Sequence, residues 1–210
     1  KYYFDQNAGL RAMLGHLNSM KSEYKLAVEN IRQATMLDPE NIRFQEELAL
    51  AQVAADAHAD AAGTLKMLLD RPEYSERNDL KRSLATAEAK LGRLDAARQI
   101  YIDLTRHDPT NTNDWIRLGE LCWKIDDLGG ALIAANRAIT LAPQRHEGYL
   151  LSGLVWQKRE KIENALEMFD RAAELAPQDS TPLILRGISL QKSDRHAAAA
   201  EAYSEALKRT

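Results

Sequence analysis

The sequence predicts an all-α protein, a solenoid of stacked antiparallel helix pairs. Prolines recur at a fixed interval, and Pro109, Pro143 and Pro177 lie 34 residues apart. Within that interval, small residues recur at the same places and apolar residues recur with helical spacing. A fixed period of this length is typical of proteins built from repeated supersecondary units.

The period divides most of the chain into six consecutive repeats. They cover residues 8–41, 42–77, 78–111, 112–145, 146–179 and 180–210. The second repeat contains two extra residues in the stretch RPEYSER, which begins at Arg71, so we expect a longer turn there. Residues 1–7 look like the tail of a preceding repeat, because Asn7 takes the place that Asn41 takes before the second repeat.

The first helix of each repeat carries a small residue at its eighth position. These residues are Gly15, Ala49, Ala85, Gly119, Gly153 and Gly187. A glycine inside a helix costs about 1 kcal/mol relative to alanine. Close packing against another helix must therefore offset this cost.

The second helix supplies the matching surface, since the twentieth position is alanine in every repeat. These alanines are Ala27, Ala61, Ala97, Ala131, Ala165 and Ala199. A missing side chain that faces a methyl group lets two helices approach closely. A bulky residue at the twenty-fourth position, such as Phe169, is expected to fill the hollow beside it, and Ala135 is the exception. The proline that follows ends the second helix.

On these residues the chain resembles the tetratricopeptide repeat family, whose pattern W-x2-L-G-x2-Y, A, F, A and P spans 34 residues. The fourth repeat matches at Trp115, Leu118, Gly119, Ala131, Ala138 and Pro143. The fifth repeat matches at Tyr149, Gly153, Trp156, Ala165, Phe169, Ala172 and Pro177. The resemblance covers essentially the whole chain. It implies a right-handed α-solenoid whose concave face, lined mainly by first helices, binds a partner.

Composition excludes several classes of function. The 210 residues carry a net charge of −3, which argues against a nucleic-acid binder that works by bulk charge. No apolar run approaches the ~20 residues that a membrane-spanning helix needs. The single Cys122 excludes a multi-cysteine metal site, and the five histidines are scattered over different repeat positions. We therefore expect no enzyme, no metal and no cofactor, while the cytoplasm and a periplasm both remain open.

The resemblance implies that five positions of each first helix point into the groove. The candidate partner-binding residues at these positions are Arg82, Lys90, Ile116, Trp123, Lys124, Leu150, Leu154, Lys158, Ile184, Ile188 and Lys192, and Arg117 adds charge nearby. The apolar members predict a groove that becomes more hydrophobic toward the C-terminal half, which suits an amphipathic helix or an extended segment. The alternative is that these side chains belong to the core between repeats.

One lysine falls at the thirteenth position of each of the last four repeats. These are Lys90, Lys124, Lys158 and Lys192. Such a stripe could bind an acidic peptide or an anionic polymer. The alternative is that each lysine only stabilises the end of a helix, which is worth roughly 0.3–1 kcal/mol. Asp126 lies two residues after Lys124 and would partly neutralise the stripe.

The sequence as a whole predicts a scaffold or adaptor that binds another protein in its groove. Two alternatives stay open: a self-assembling module that forms a homo-oligomer through an uncapped C-terminal end, and a binder of an anionic polymer such as a polysaccharide. The lysine–asparagine clamp of chaperone adaptors is missing. Its positions hold Ala12, His16, Glu47, Asp79 and Ser83.

Overall fold

The computed structural model describes residues 7–209, which form twelve α-helices and no strand within that range. The predicted tail of a preceding repeat lies, apart from Asn7, outside the described residues. The helices are α1 (Ala8–Met20), α2 (Tyr24–Leu37), α3 (Ile42–Ala54), α4 (His58–Leu69), α5 (Asn78–Lys90), α6 (Leu94–His107), α7 (Thr112–Lys124), α8 (Leu128–Leu141), α9 (His146–Lys158), α10 (Ile162–Leu175), α11 (Thr181–Lys192) and α12 (His196–Leu207).

The helices fall into two compact units. The N-terminal unit comprises residues 1–100 and the C-terminal unit comprises residues 101–210. In the N-terminal unit each helix from α1 to α5 packs on the next, and in the C-terminal unit each helix from α7 to α12 does the same. Short connections between consecutive helices make such neighbours antiparallel. Each unit is therefore a stack of helix hairpins, as the sequence predicted.

Every first helix ends in the same way. The residue at position 15 of the repeat has a left-handed backbone, with φ between 56° and 77°. These residues are Ser22, Asp56, Gly92, Asp126, Glu160 and Asp194. The backbone N–H of the next residue donates to the carbonyl oxygen five residues earlier, at 2.8–3.0 Å. This arrangement is the Schellman motif, which satisfies carbonyl groups at a helix end.

The connections between helix pairs are mostly four residues long, as in residues 38–41, 108–111 and 142–145. The connection between α4 and α5 is longer and covers residues 70–77. The two extra residues of the second repeat therefore lie in a turn, where they do not disturb either helix.

The in-phase glycines are buried against the bulky residue of the second helix. A Cβ atom on Gly153 would lie 2.5 Å from Cε1 of Phe169. Cβ atoms on Gly15 and Gly187 would likewise overlap Ile31 and the Tyr203 ring. The alanines at position 20 are at most 3% exposed. Close helix–helix contact thus accounts for the glycine inside each of these helices.

Gly119 follows the same rule with a different neighbour. Ala135 takes the place of the bulky residue in that repeat, and a Cβ atom on Gly119 would overlap Leu151 of the following repeat instead. Leu151 is 4% exposed. The hollow that a small residue leaves in one second helix is filled from the next first helix.

Candidate functional site

The first helices of the C-terminal unit lie side by side and form one face of it. Helix α7 contacts α9, and α9 contacts α11. Gln157 Nε2 on α9 donates to Ser189 Oγ on α11 at 2.7 Å. We call the exposed and half-buried side chains on this face of α7, α9 and α11 the first-helix face.

Arg145 fixes the start of α9 against the preceding repeat. Its Nη1 donates to Oδ1 of Asn113 at 2.7 Å, while its Nη2 lies 2.5 Å from Oε1 of Glu147. The hydrogen bond from Arg145 holds the pKa of Glu147 below its ordinary value, although burial alone would raise it. The guanidinium therefore ties two neighbouring first helices together while Glu147 stays ionised.

Four predicted apolar residues form two pairs on the first-helix face. Leu150 and Leu154 are four residues apart on α9 and are half-buried. Ile184 and Ile188 are four residues apart on α11, and Ile184 is 41% exposed. Residues with this spacing lie on the same side of a helix. Each pair can therefore contribute to one continuous apolar strip.

Ile116 does not belong to this strip. It is 6% exposed, so its side chain lies in the core of the C-terminal unit. Ile116 therefore follows the alternative prediction, in which an apolar residue of a first helix fills the core between repeats.

Trp123, Lys158 and Asp126 form a cluster that joins two repeats. Lys158 Nζ lies 2.7 Å from Oδ1 of Asp126 and 5.6 Å from the centroid of the Trp123 ring. An ammonium group at this distance over an indole is attracted by the ring. Within residues 7–209 the Trp123 Nε1 atom is buried and has no hydrogen-bond partner. Lys158 thus covers a tryptophan at the edge of the first-helix face.

The remaining basic candidates differ in exposure and in whether they form ion pairs. Lys124 and Lys192 are exposed, and neither forms an ion pair with the described part of the chain. Arg117 Nη1 lies 2.8 Å from Oε2 of Glu120, one turn further along α7. In the N-terminal unit, Lys90 is exposed and Arg82 is half-buried. Asp126 neutralises Lys158 of the next repeat rather than Lys124, which stands beside it in sequence.

Among the described first helices, α1 carries the most exposed large apolar side chains, and the sequence predicted no candidates there. The exposed residues are Leu10, Met13, Leu14, Leu17 and Met20. Of these five residues only Met20 stands at a predicted groove position, so the expectation of a groove that becomes more hydrophobic toward the C-terminal half stays a prediction. Within the described residues no second helix precedes α1, whereas each later first helix follows one. The leucine and methionine spacing of three and four residues was the signal that pointed to it.

Among residues 7–209, no three histidine, cysteine, aspartate or glutamate side chains come together as metal ligands. None of the described helices is long and apolar enough to cross a membrane.

A family model for the tetratricopeptide repeat matches residues 82–146 and 150–210, which together make up more than half of the chain. The chain belongs to the tetratricopeptide repeat family. Members of this family are generally non-catalytic scaffolds for protein interaction, and arrays of this kind use extended surfaces to bind their partners. No curated protein matches the sequence significantly.

Solved tetratricopeptide repeat structures have the same fold. A tetratricopeptide repeat protein from Parabacteroides merdae has a TM-score of 0.84 and 14% identity, with 97% of this chain and 80% of that chain covered. A MamA fragment from Desulfovibrio magneticus has a TM-score of 0.71 and 20% identity, covering 80% of this chain and 93% of that chain. YrrB, described as having an unusual peptide-binding site, has a TM-score of 0.68 and 19% identity, covering 95% and 93%.

Proposed function

We propose that this tetratricopeptide repeat protein is a scaffold that binds a peptide or helical segment of another protein on the first-helix face of its C-terminal unit. The apolar contacts come from Leu150, Leu154, Ile184 and Ile188. Trp123 and the lysines Lys124, Lys158 and Lys192 border them. The partly exposed pair of Ile184 and Ile188 on α11 is the observation that supports the proposal most strongly. It leaves apolar surface uncovered beside the charged lysine side chains.

The arrangement suits a segment with apolar residues on one side and at least one acidic residue. Apolar side chains of the segment would cover Ile184 and Leu154. An acidic side chain would meet Lys124 or Lys192, which have no internal partner in the described chain. Because hydrogen bonds already hold α9 and α11 together, the face is formed before the partner arrives, and less ordering cost remains. The peptide-binding site of YrrB is a precedent within the same fold.

An anionic polymer is a weaker candidate for the same face. Lys158 is already paired with Asp126 and stacked on Trp123. A polymer that binds by charge would have to compete with that carboxylate. Such binding would also weaken steeply with added salt.

Selection from a random peptide library displayed on phage tests the proposal, with affinities of the recovered peptides measured by fluorescence polarisation. Ile184→Asp should weaken binding at least about tenfold, because it places an unpaired charge in an apolar contact. Ile133→Asp is the matched control, since Ile133 is an exposed isoleucine on the second helix α8.

Equal binding by wild type and Ile184→Asp would contradict the proposal. Loss of binding in moderate salt, with no effect of Ile184→Asp, would instead favour an anionic polymer. Melting curves of both variants show whether each is folded.

A further inference from the structure

The ammonium group of Lys158 lies beside both the indole of Trp123 and the carboxylate of Asp126. Its Nζ atom is 5.6 Å from the centroid of the Trp123 ring and 2.7 Å from Oδ1 of Asp126. An aromatic face attracts a cation through its negative electron density, and a carboxylate attracts it by its charge. Trp123 and Asp126 together therefore have the chemistry of a site for a basic side chain, and Lys158 of the next repeat occupies that site.

This combination of residues occurs in one of the six repeats. Trp123 stands at position 12, where no other repeat has an aromatic residue. The residues at that position in the other repeats are Ser19, Val53, Ala89, Gln157 and Gln191. The cluster is therefore not part of the helix packing that all repeats share.

The same positions one repeat later indicate what the indole contributes. Lys192 corresponds to Lys158, Glu160 to Asp126 and Gln157 to Trp123. In the described part of the chain, Lys192 and Glu160 form no ion pair. A lysine and a carboxylate at these positions thus do not pair where the indole is missing. This contrast indicates that the Trp123 ring helps to hold a cation.

The site can be reached from solvent at the edge of the first-helix face. The side chains of Lys158 and Asp126 are 43% and 70% exposed. An exposed ion pair contributes little to stability, so Lys158 can be exchanged for another cation at a small cost.

A guanidinium group suits this site better than an ammonium group does. It is planar and stacks on an indole, and its fork of N–H donors can form two parallel hydrogen bonds with one carboxylate. Lys158 has the advantage that the chain holds it beside the site at a high effective concentration. A free cation must overcome that advantage, whereas an arginine in a segment already bound to the first-helix face has an advantage of the same kind.

We propose that an arginine side chain of the bound segment displaces Lys158 from Trp123 and Asp126. The proposal rests on the proposed function, since the segment on the first-helix face carries the arginine. Lys158 is then an internal competitor, because a segment without arginine leaves it in place. The displaced ammonium group becomes available to an acidic side chain of the same segment.

Titration with ethylguanidinium chloride, which carries the cationic group of arginine, tests the site without any peptide. Nuclear magnetic resonance follows the indole N–H signal of Trp123, which Trp123→Phe assigns. In Lys158→Ala this signal should shift saturably, with a dissociation constant at least about tenfold lower than in the wild type, because the competitor is gone. Adding Asp126→Asn should weaken binding at least about tenfold again. Asparagine tolerates the left-handed backbone of residue 126, which keeps the turn intact.

Trp156 provides the matched control. Arg159 lies 5.6 Å from the centroid of the Trp156 ring, and in the described chain it forms no ion pair with a carboxylate. Arg159→Ala therefore uncovers an indole that has no acidic neighbour of this kind, and the Trp156 signal should show no saturable shift. Sodium chloride at the same concentrations corrects for ionic strength. If ethylguanidinium does not bind Lys158→Ala saturably, or binds it equally with and without Asp126→Asn, the proposal is overturned.

Peptides selected on the wild type separate this proposal from the proposed function. They should contain an arginine whose replacement by glutamine weakens binding to the wild type at least about tenfold and changes binding to Asp126→Asn much less. Recovered peptides without this dependence would overturn the role of arginine and leave the scaffold function standing. If no peptide is recovered while ethylguanidinium binds as expected, the result supports the cation site and contradicts the proposed function.

Discussion

At the scale of single residues, the left-handed turn at position 15 is the clearest source of strain. Five of the six residues there carry a side chain, and only Gly92 does not. A left-handed backbone costs roughly 1–2 kcal/mol for most L-residues, although Asp and Asn adopt it more readily. Glu160, with φ of 60°, has the least suitable side chain of the set for this conformation.

Replacing Glu160 by glycine should raise the free energy of unfolding by about 0.5–1 kcal/mol, because relief of the strained backbone exceeds the entropy lost on ordering a glycine. Urea titration followed by circular dichroism measures the change. Gly92→Ala is the matched control at the same turn, and it should destabilise, since the added Cβ meets no atom but must adopt the same φ. A Glu160→Gly protein less stable than wild type would refute this explanation.

At the scale of helices, the contact between α4 and α5 depends on a buried carboxylate. Burial alone would raise the pKa of Glu88, but hydrogen bonds from Lys66 and Arg93 outweigh it and hold the pKa below its ordinary value of 4.5. Arg93 Nη1 lies 3.2 Å from Oε2 of Glu88. The folded state therefore binds a proton on Glu88 less readily than the unfolded state does.

This difference predicts how stability depends on pH. The stabilisation from ionised Glu88 is fully present above the ordinary pKa of 4.5 and is lost as pH falls through the lower folded value. The stability gap between wild type and Glu88→Gln should therefore shrink below that pH. Urea titrations at several pH values measure it, with Glu201→Gln on the exposed side of α12 as control. A gap that stays constant down to strongly acidic pH would contradict the role of Glu88.

At the scale of the whole molecule, the phase of small residues in the sequence predicted the helix pairs, their order and the burial of the glycines. It did not predict that Leu151 fills the space beside Gly119. Repeat position determines which side of a helix a residue occupies, but not which neighbouring side chain reaches an empty space.

The candidate site was predictable to a smaller extent. The spacing placed Leu150, Leu154, Ile184 and Ile188 on first helices, and the structure leaves them partly exposed. It did not distinguish the buried Ile116 from these four partly exposed residues, because the burial of a residue depends on the neighbouring repeat as well as on its own repeat position. Nor could it predict that Lys158 pairs with Asp126, since that contact joins residues 32 positions apart.

In-phase small residues hold the stack together by allowing close contact between helices, and a pair of glycine substitutions tests this most directly. Gly63 lies in α4 with no atom near an added Cβ, whereas Gly153 lies against Phe169. Urea titration should show Gly63→Ala stabilised by up to about 1 kcal/mol through helix propensity. Gly153→Ala should be destabilised by about 1–3 kcal/mol through overpacking. If Gly153→Ala were as stable as Gly63→Ala, close contact would not be what these glycines provide.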